Sequence, residues 1–162
     1  MKWTIHNIYG LIHVITALIA VLCAIIILFS TKGTPFHKKI GYLYVVSIVM
    51  LNVSSFGVME FFKGQPGPFH FGAVVSIVFT TIGIVPAIRK KGKNWRRWHY
   101  YGMNGSIMGL FAAFFVEAVF RSFSSPAMII GSTIAISVLV VSIGTYLMIK
   151  YRDVFFPKSN EQ

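Results

Sequence analysis

The stretch FHFGAVVSIVFTTIGIVPAIRKKGKNWRRWHYY, residues 69–101, joins two different kinds of sequence. Residues 69–88 are mostly apolar, and a run of about 20 apolar residues is long enough to cross the hydrocarbon core of a bilayer as an α-helix. Residues 89–97 then carry six Lys and Arg side chains and no acidic one. This change from apolar to basic predicts a membrane-spanning helix that ends in a positively charged loop.

The composition of the whole chain extends this interpretation. Of its 162 residues, 56% are apolar and only 12% are charged, whereas about a quarter of the residues in soluble domains are charged. The mean hydropathy is +0.72. Apolar runs of spanning length lie at residues 7–29, 40–62, 69–88, 102–121 and 127–149. We therefore predict an all-α, polytopic membrane protein with five transmembrane helices.

The net charge of +11 predicts the orientation of these helices. Basic residues cluster between runs one and two, between runs three and four, and after run five, whereas the opposite connections hold only Lys63 and Arg121. Because positive loops stay in the cytoplasm, the N-terminus is predicted outside and the C-terminus inside, as an odd number of helices requires. The prediction is a single bundle over residues 1–156 and a polar cytoplasmic tail at 157–162, multi-pass in a bacterial inner or plasma membrane. The charge is then a topology signal and does not indicate nucleic-acid binding.

A weak internal similarity relates the second and third helices to the fourth and fifth. HKKIGYLY (37–44) opens the second helix and HYYGMNGS (99–106) the fourth, so that His37 matches His99. By the distance from a preceding proline, His70 matches Met128. This similarity predicts that helices 2–5 form a four-helix core with helix 1 alongside.

The predicted topology sorts the ionisable side chains into two levels of the bilayer. The inner level holds two histidines at helix starts, His37 and His99. The outer level holds His6, His13, His70, Glu60 and Glu117. Ionisable groups inside a membrane cost several kcal/mol and usually serve a function, although histidines at the interface also act as amphipathic anchors.

These helix starts carry a recognisable pattern. Its parts are His37-x3-Gly41-x2-Tyr44, His70 opening a helix, His99-x3-Met103 and a terminal Arg121. The pattern resembles an uncharacterised family of small bacterial predicted membrane proteins, classed as a domain of unknown function, over roughly residues 10–125.

The chain departs from this family pattern at two places. Tyr100 stands where the family has an arginine after the second histidine, and the family's closing Pro-Gly-Arg is Val119-Phe120-Arg121 here. The resemblance implies a multi-helix membrane fold with histidines at matching positions. It implies no activity.

The first functional interpretation is a b-type haem protein that transfers electrons within or across the membrane, with a quinone or another redox partner. Haem iron accepts axial histidines, and helical bundles place such ligands on facing helices. His37 and His99 form the candidate inner pair. His13 with His70, or His70 with Met128, form the candidate outer site.

Two alternatives use other chemistry. One is a zinc or copper site in the outer leaflet, for hydrolysis or metal handling, with ligands from His13, His70, Glu60 and Glu117. The other is a cofactor-free assembly factor, subunit or proton-coupled carrier, in which His13, His70 and Glu117 relay protons. The sequence leaves enzymatic activity open, and a homo-oligomer is compatible with it.

Overall fold

The computed structural model describes residues 8–57, 68–120 and 125–156. Within these ranges it is all-helical, with five helices and no strand. They are α1 (Ile8–Phe29), α2 (Pro35–Ser55), α3 (Pro68–Arg89), α4 (Trp95–Phe120) and α5 (Pro126–Phe155). The prediction of an all-α chain with five helices is confirmed for the part of the chain that the structure describes.

Four of the described helices, α1, α3, α4 and α5, are long and apolar enough to cross a membrane. The exception is α2, whose 21 residues are sufficient in length. Its first turns contain Lys38 and Lys39 and its last turn contains Asn52, which lowers its mean hydropathy. A multi-pass membrane protein is therefore supported by four helices, whereas the fifth span and the orientation of the chain stay predictions.

The helices do not end where the apolar runs end. The α2 helix begins at Pro35, five residues before its apolar run, because the side chain of Thr34 caps it by accepting a hydrogen bond from the backbone N–H of His37 at 3.1 Å. It ends at Ser55, followed by a turn at residues 56–57, and residues 58–62 of the predicted run lie outside the described residues. Serine hydroxyls at its end donate back to the helix, from Ser54 to the carbonyl of Leu51 and from Ser55 to that of Asn52, which favours fraying and termination.

By its internal contacts the chain divides into two compact units, residues 1–110 and 111–162. In the first unit, α1 packs on α2 and α2 packs on α3. The α1 face that meets α2 uses small side chains, of which Ala20 and Ala24 are fully buried. Small residues allow close helix approach in membranes, where the hydrophobic effect does not drive packing.

The second unit comprises the end of α4 and all of α5. Apolar side chains of α5 are largely exposed, with Ile130 at 61%, Ile134 at 58% and Val138 at 59%. Such exposure would be unfavourable in water over a helix of this length and is ordinary for a surface that faces lipid.

Candidate histidine site

The two inner-level histidines lie next to each other in the first unit. His37 is in the first turn of α2 and His99 is in the second turn of α4. Their ring centroids are 6.3 Å apart and their planes are perpendicular. The structure therefore places the two imidazoles side by side, and their role as a ligand pair stays a prediction.

A backbone carbonyl orients His99. Its Nδ1 lies 2.9 Å from the carbonyl oxygen of Gly83, near the end of α3. Because a carbonyl only accepts hydrogen bonds, Nδ1 must carry the proton, which leaves Nε2 with a free lone pair in the neutral ring. A histidine that donates its second nitrogen to a carbonyl in this way has the usual arrangement of a metal ligand.

The close approach of α3 and α4 creates this contact. Gly83 faces Gly102 across the two helices, and a Cβ atom built on Gly102 would lie 2.6 Å from the Cα of Gly83. A Cβ on Gly83 would in turn lie 2.7 Å from the backbone nitrogen of Met103. Only glycine fits at these two positions. The two glycines therefore let α3 and α4 approach closely enough for His99 to reach the Gly83 carbonyl.

His37 lies just before the apolar run that begins at Ile40, and its side chain is half-buried. Its Nδ1 is buried and has no hydrogen-bond partner among the described residues. Burial lowers the pKa of the imidazole, and the positive charge of Lys32 and the neighbouring His99 lower it further. These effects favour the neutral form of His37, which is the form that binds metals.

Lys32 is a fixed cation beside this pair. Its ammonium group donates to the carbonyls of Ile27, Leu28 and Ser30, and so caps the end of α1. Partial burial lowers the pKa of Lys32. The α1–α2 loop thereby adds a positive charge next to the starts of α2 and α4.

Two predicted outer-level histidines meet the far end of α2. The Nδ1 of His13 lies 3.4 Å from the hydroxyl of Ser54. His70 is 5% exposed and packs its ring against that of Phe56, with centroids 5.4 Å apart. Both imidazoles therefore contact the end of the bundle at α2, as is usual for an ionisable group within a membrane.

The described structure does not test the other predicted outer ligands. Glu60 lies outside the described residues. Glu117 and Met128 belong to the second unit, where Glu117 is half-buried and Met128 is 52% exposed. Within residues 8–57, 68–120 and 125–156, no three His, Cys, Asp or Glu side chains form a metal-binding group. The outer His/Glu metal site and the Met128 ligand stay predictions.

Sequence reasoning missed a buried chain of hydroxyl groups beyond the histidine pair. The phenol of Tyr44 lies 2.8 Å from the hydroxyl of Ser106, which lies 2.7 Å from that of Thr80. Thr80 donates to the carbonyl of Ser76, so each hydroxyl accepts from the previous one and the donors run from Tyr44 to Thr80. These hydrogen bonds join α2, α4 and α3. Their only indication in the sequence was one polar residue in each of the three helices.

We expect Tyr44→Phe to lower the melting temperature of the detergent-purified protein by about 2–4 °C, because one interhelical hydrogen bond is worth about 1 kcal/mol and the ring itself remains. Tyr42→Phe is the matched control, since Tyr42 is on the same helix and 54% exposed. Equal melting temperatures for the two variants would show that the Tyr44 hydroxyl does not hold the helices together.

Comparison with known families agrees with this architecture. Residues 8–151 match the family model described as "Predicted membrane protein (DUF2306)", which confirms the resemblance to an uncharacterised family of predicted membrane proteins. Neither the curated proteins nor the solved structures yield a match.

Proposed function

The chain belongs to the DUF2306 family of predicted membrane proteins, and we propose that it binds b-type haem between His37 and His99 and transfers electrons in the membrane. His37 and His99 would hold the haem, which would supply one-electron redox chemistry. The redox partner would be a quinone or another electron carrier that reaches the protein within or at the membrane.

The distance between the two rings is the observation that carries this proposal. A metal ion binds an imidazole nitrogen at about 2 Å, and the ring centre lies about 1 Å beyond that nitrogen, so that two imidazoles sharing one metal have centroids about 6 Å apart. The observed separation is 6.3 Å. Because the porphyrin supplies the equatorial ligands, haem needs only two protein side chains, which is what this site offers.

The chemical state of the two rings supports the proposal. His99 has its Nδ1 committed to the Gly83 carbonyl and retains Nε2 as a ligand. Burial and the nearby cations favour the neutral form of His37. The haem propionates are anionic, and the exposed cations Lys38 and Lys39 lie in the first turns of α2.

The absorption spectrum tests the proposal. The protein is expressed in cells supplied with a haem precursor, purified in detergent and measured before and after reduction with dithionite. We expect a Soret band that shifts to longer wavelength on reduction, together with the sharp α and β bands of six-coordinate, low-spin haem. A colourless protein from haem-replete cells would contradict the proposal.

The outer histidines support a second candidate. His13 and His70 both reach the last residues of α2, at Ser54 and Phe56, and imidazole nitrogens suit zinc and copper. A metal site here would serve hydrolysis or metal handling. Elemental analysis of the dialysed protein tests it, and one equivalent of zinc or copper that is lost in His13→Ala would support it. The cofactor-free alternative applies when both the haem spectrum and the metal analysis are negative.

A further inference from the structure

The connection between α3 and α4 concentrates positive charge on a short segment. Residues 89–97, here called the basic loop, contain six cations, all of them exposed: Arg89, Lys90, Lys91, Lys93, Arg96 and Arg97. Glu60 is the only acidic residue among the first 110 of the chain. The basic loop therefore has no carboxylate of the first unit's described residues to neutralise it.

The backbone holds these cations close together. Lys90 and Gly92 have φ angles of +49° and +82°, which turn the chain sharply between the two helices. The N–H of Lys90 donates to the carbonyl of Pro86 at 2.8 Å, and that of Trp98 to the carbonyl of Asn94 at 3.1 Å. Mutual repulsion within such a compact segment is relieved when an anion binds to it or salt screens it.

An apolar groove lies beside the basic loop, on the same two helices. Its lining comprises Thr81, Ile82, Val85, Pro86 and Trp98, and its volume is about 350 Å³. The α3 residues that line the groove precede Arg89, the last residue of α3, by three to eight positions. The groove is therefore roughly 5–12 Å from the charged end at ~1.5 Å per residue. That offset matches the depth at which acyl chains begin below lipid headgroups, and tryptophans such as Trp98 favour that depth.

We propose that the α3–α4 hairpin binds an anionic phospholipid, with the headgroup phosphate on the basic loop and one acyl chain in the groove beside Trp98. Charge complementarity selects the headgroup, since clustered Lys and Arg next to a transmembrane helix attract anionic lipids. The apolar groove favours a lipid over inorganic phosphate, because inorganic phosphate has no acyl chain that could bind there. The inference is independent of haem binding.

Thermal unfolding of the full chain in an uncharged detergent tests the proposal. Phosphatidylglycerol is expected to raise the melting temperature by about 5–10 °C near saturation. Phosphatidylcholine with the same acyl chains, and inorganic phosphate, should each raise it by much less. The triple variant Lys90→Gln, Lys91→Gln, Lys93→Gln should lose the phosphatidylglycerol effect.

A second charge variant makes this test specific. Lys150→Gln with Arg152→Gln removes two exposed cations near the end of α5 and should retain the effect of phosphatidylglycerol. Equal stabilisation by phosphatidylcholine, equal stabilisation by inorganic phosphate, or an unchanged effect in the triple variant would each overturn the proposal. Loss of the effect in both charge variants would do the same, because it would indicate general charge attraction.

The groove is tested separately with brominated acyl chains, which quench nearby tryptophans. Brominated phosphatidylglycerol should quench the protein's fluorescence more than brominated phosphatidylcholine, and Trp98→Phe should abolish most of that difference. Trp95→Phe is the matched control, because Trp95 is in the same helical turn and does not line the groove. A difference that survives Trp98→Phe and disappears in Trp95→Phe would place the lipid elsewhere and overturn the proposal.

Discussion

Replacing either His37 or His99 with alanine is expected to remove most of the haem from the purified protein. Each substitution deletes one axial ligand and leaves the iron with a single imidazole. Loss of a group that merely orients a metal ligand typically lowers affinity by about 10–100-fold, and loss of the ligand itself costs more. We therefore expect the ratio of Soret absorbance to protein absorbance to fall at least about tenfold in each variant.

Neighbouring substitutions serve as controls for this experiment. Phe36→Leu is adjacent to His37 and Tyr100→Phe is adjacent to His99, and neither removes an imidazole. Both variants should keep the haem, and far-ultraviolet circular dichroism should show the same helix content in all four proteins. A full complement of haem in His37→Ala and His99→Ala would exclude this pair as the ligands.

A ligand exchange separates coordination from a purely structural role. In His37→Met, the thioether sulfur can replace the imidazole, and methionine–histidine ligation raises the reduction potential of haem relative to histidine pairs. We expect this variant to retain a low-spin spectrum and to have a higher midpoint potential than the wild type. A role in packing alone predicts no spectral difference between His37→Met and His37→Ala.

The same experiment addresses the outer level of histidines. If His13→Ala and His70→Ala retain the whole Soret band, all of the haem is bound at the inner pair. If each of them halves the haem content, the outer histidines bind a second haem, as the two-level arrangement in the sequence predicts.

The sequence predicted the helices well, and their ends poorly, for a physical reason. Hydropathy detects the part of a helix that is immersed in hydrocarbon, whereas backbone hydrogen bonds continue into the headgroup region. The α4 helix therefore begins at Trp95 and not at residue 102, and α5 continues to Phe155 instead of ending at 149. Both extensions are rich in Trp, Tyr, Lys and Arg, which are stable at the interface.

Only part of the histidine site could be predicted from the sequence. Topology alone assigns His37 and His99 to one level, because both start helices on the same side of the predicted membrane. The Gly83 carbonyl that orients His99 is a backbone atom on a third helix, and no residue type marks it in the sequence. The Tyr44–Ser106 contact likewise depends on the rotation of two helices about their axes, which hydropathy does not determine.

Gly102 is the position at which we expect the largest loss of stability. A Cβ atom there would lie 2.6 Å from the Cα of Gly83 and 2.9 Å from the carbonyl carbon of Ile82. These are backbone atoms and cannot rotate away as a flexible side chain can, so α3 and α4 must separate. Overpacking typically lowers the free energy of unfolding by about 1–3 kcal/mol. We expect the loss in Gly102→Ala to lie at the upper end of this range, which corresponds to a decrease in melting temperature of about 6–12 °C.

Gly109→Ala is the matched control, because Gly109 is on the same helix and a Cβ there meets nothing within 4 Å. Since alanine is the better helix former by about 1 kcal/mol, Gly109→Ala should be as stable as the wild type or more so. Separation of α3 from α4 also breaks the 2.9 Å contact between His99 and the Gly83 carbonyl, so that any haem retained by Gly102→Ala should be less tightly bound. Equal melting temperatures for Gly102→Ala and Gly109→Ala would contradict the glycine contact, and with it the account of how His99 is oriented.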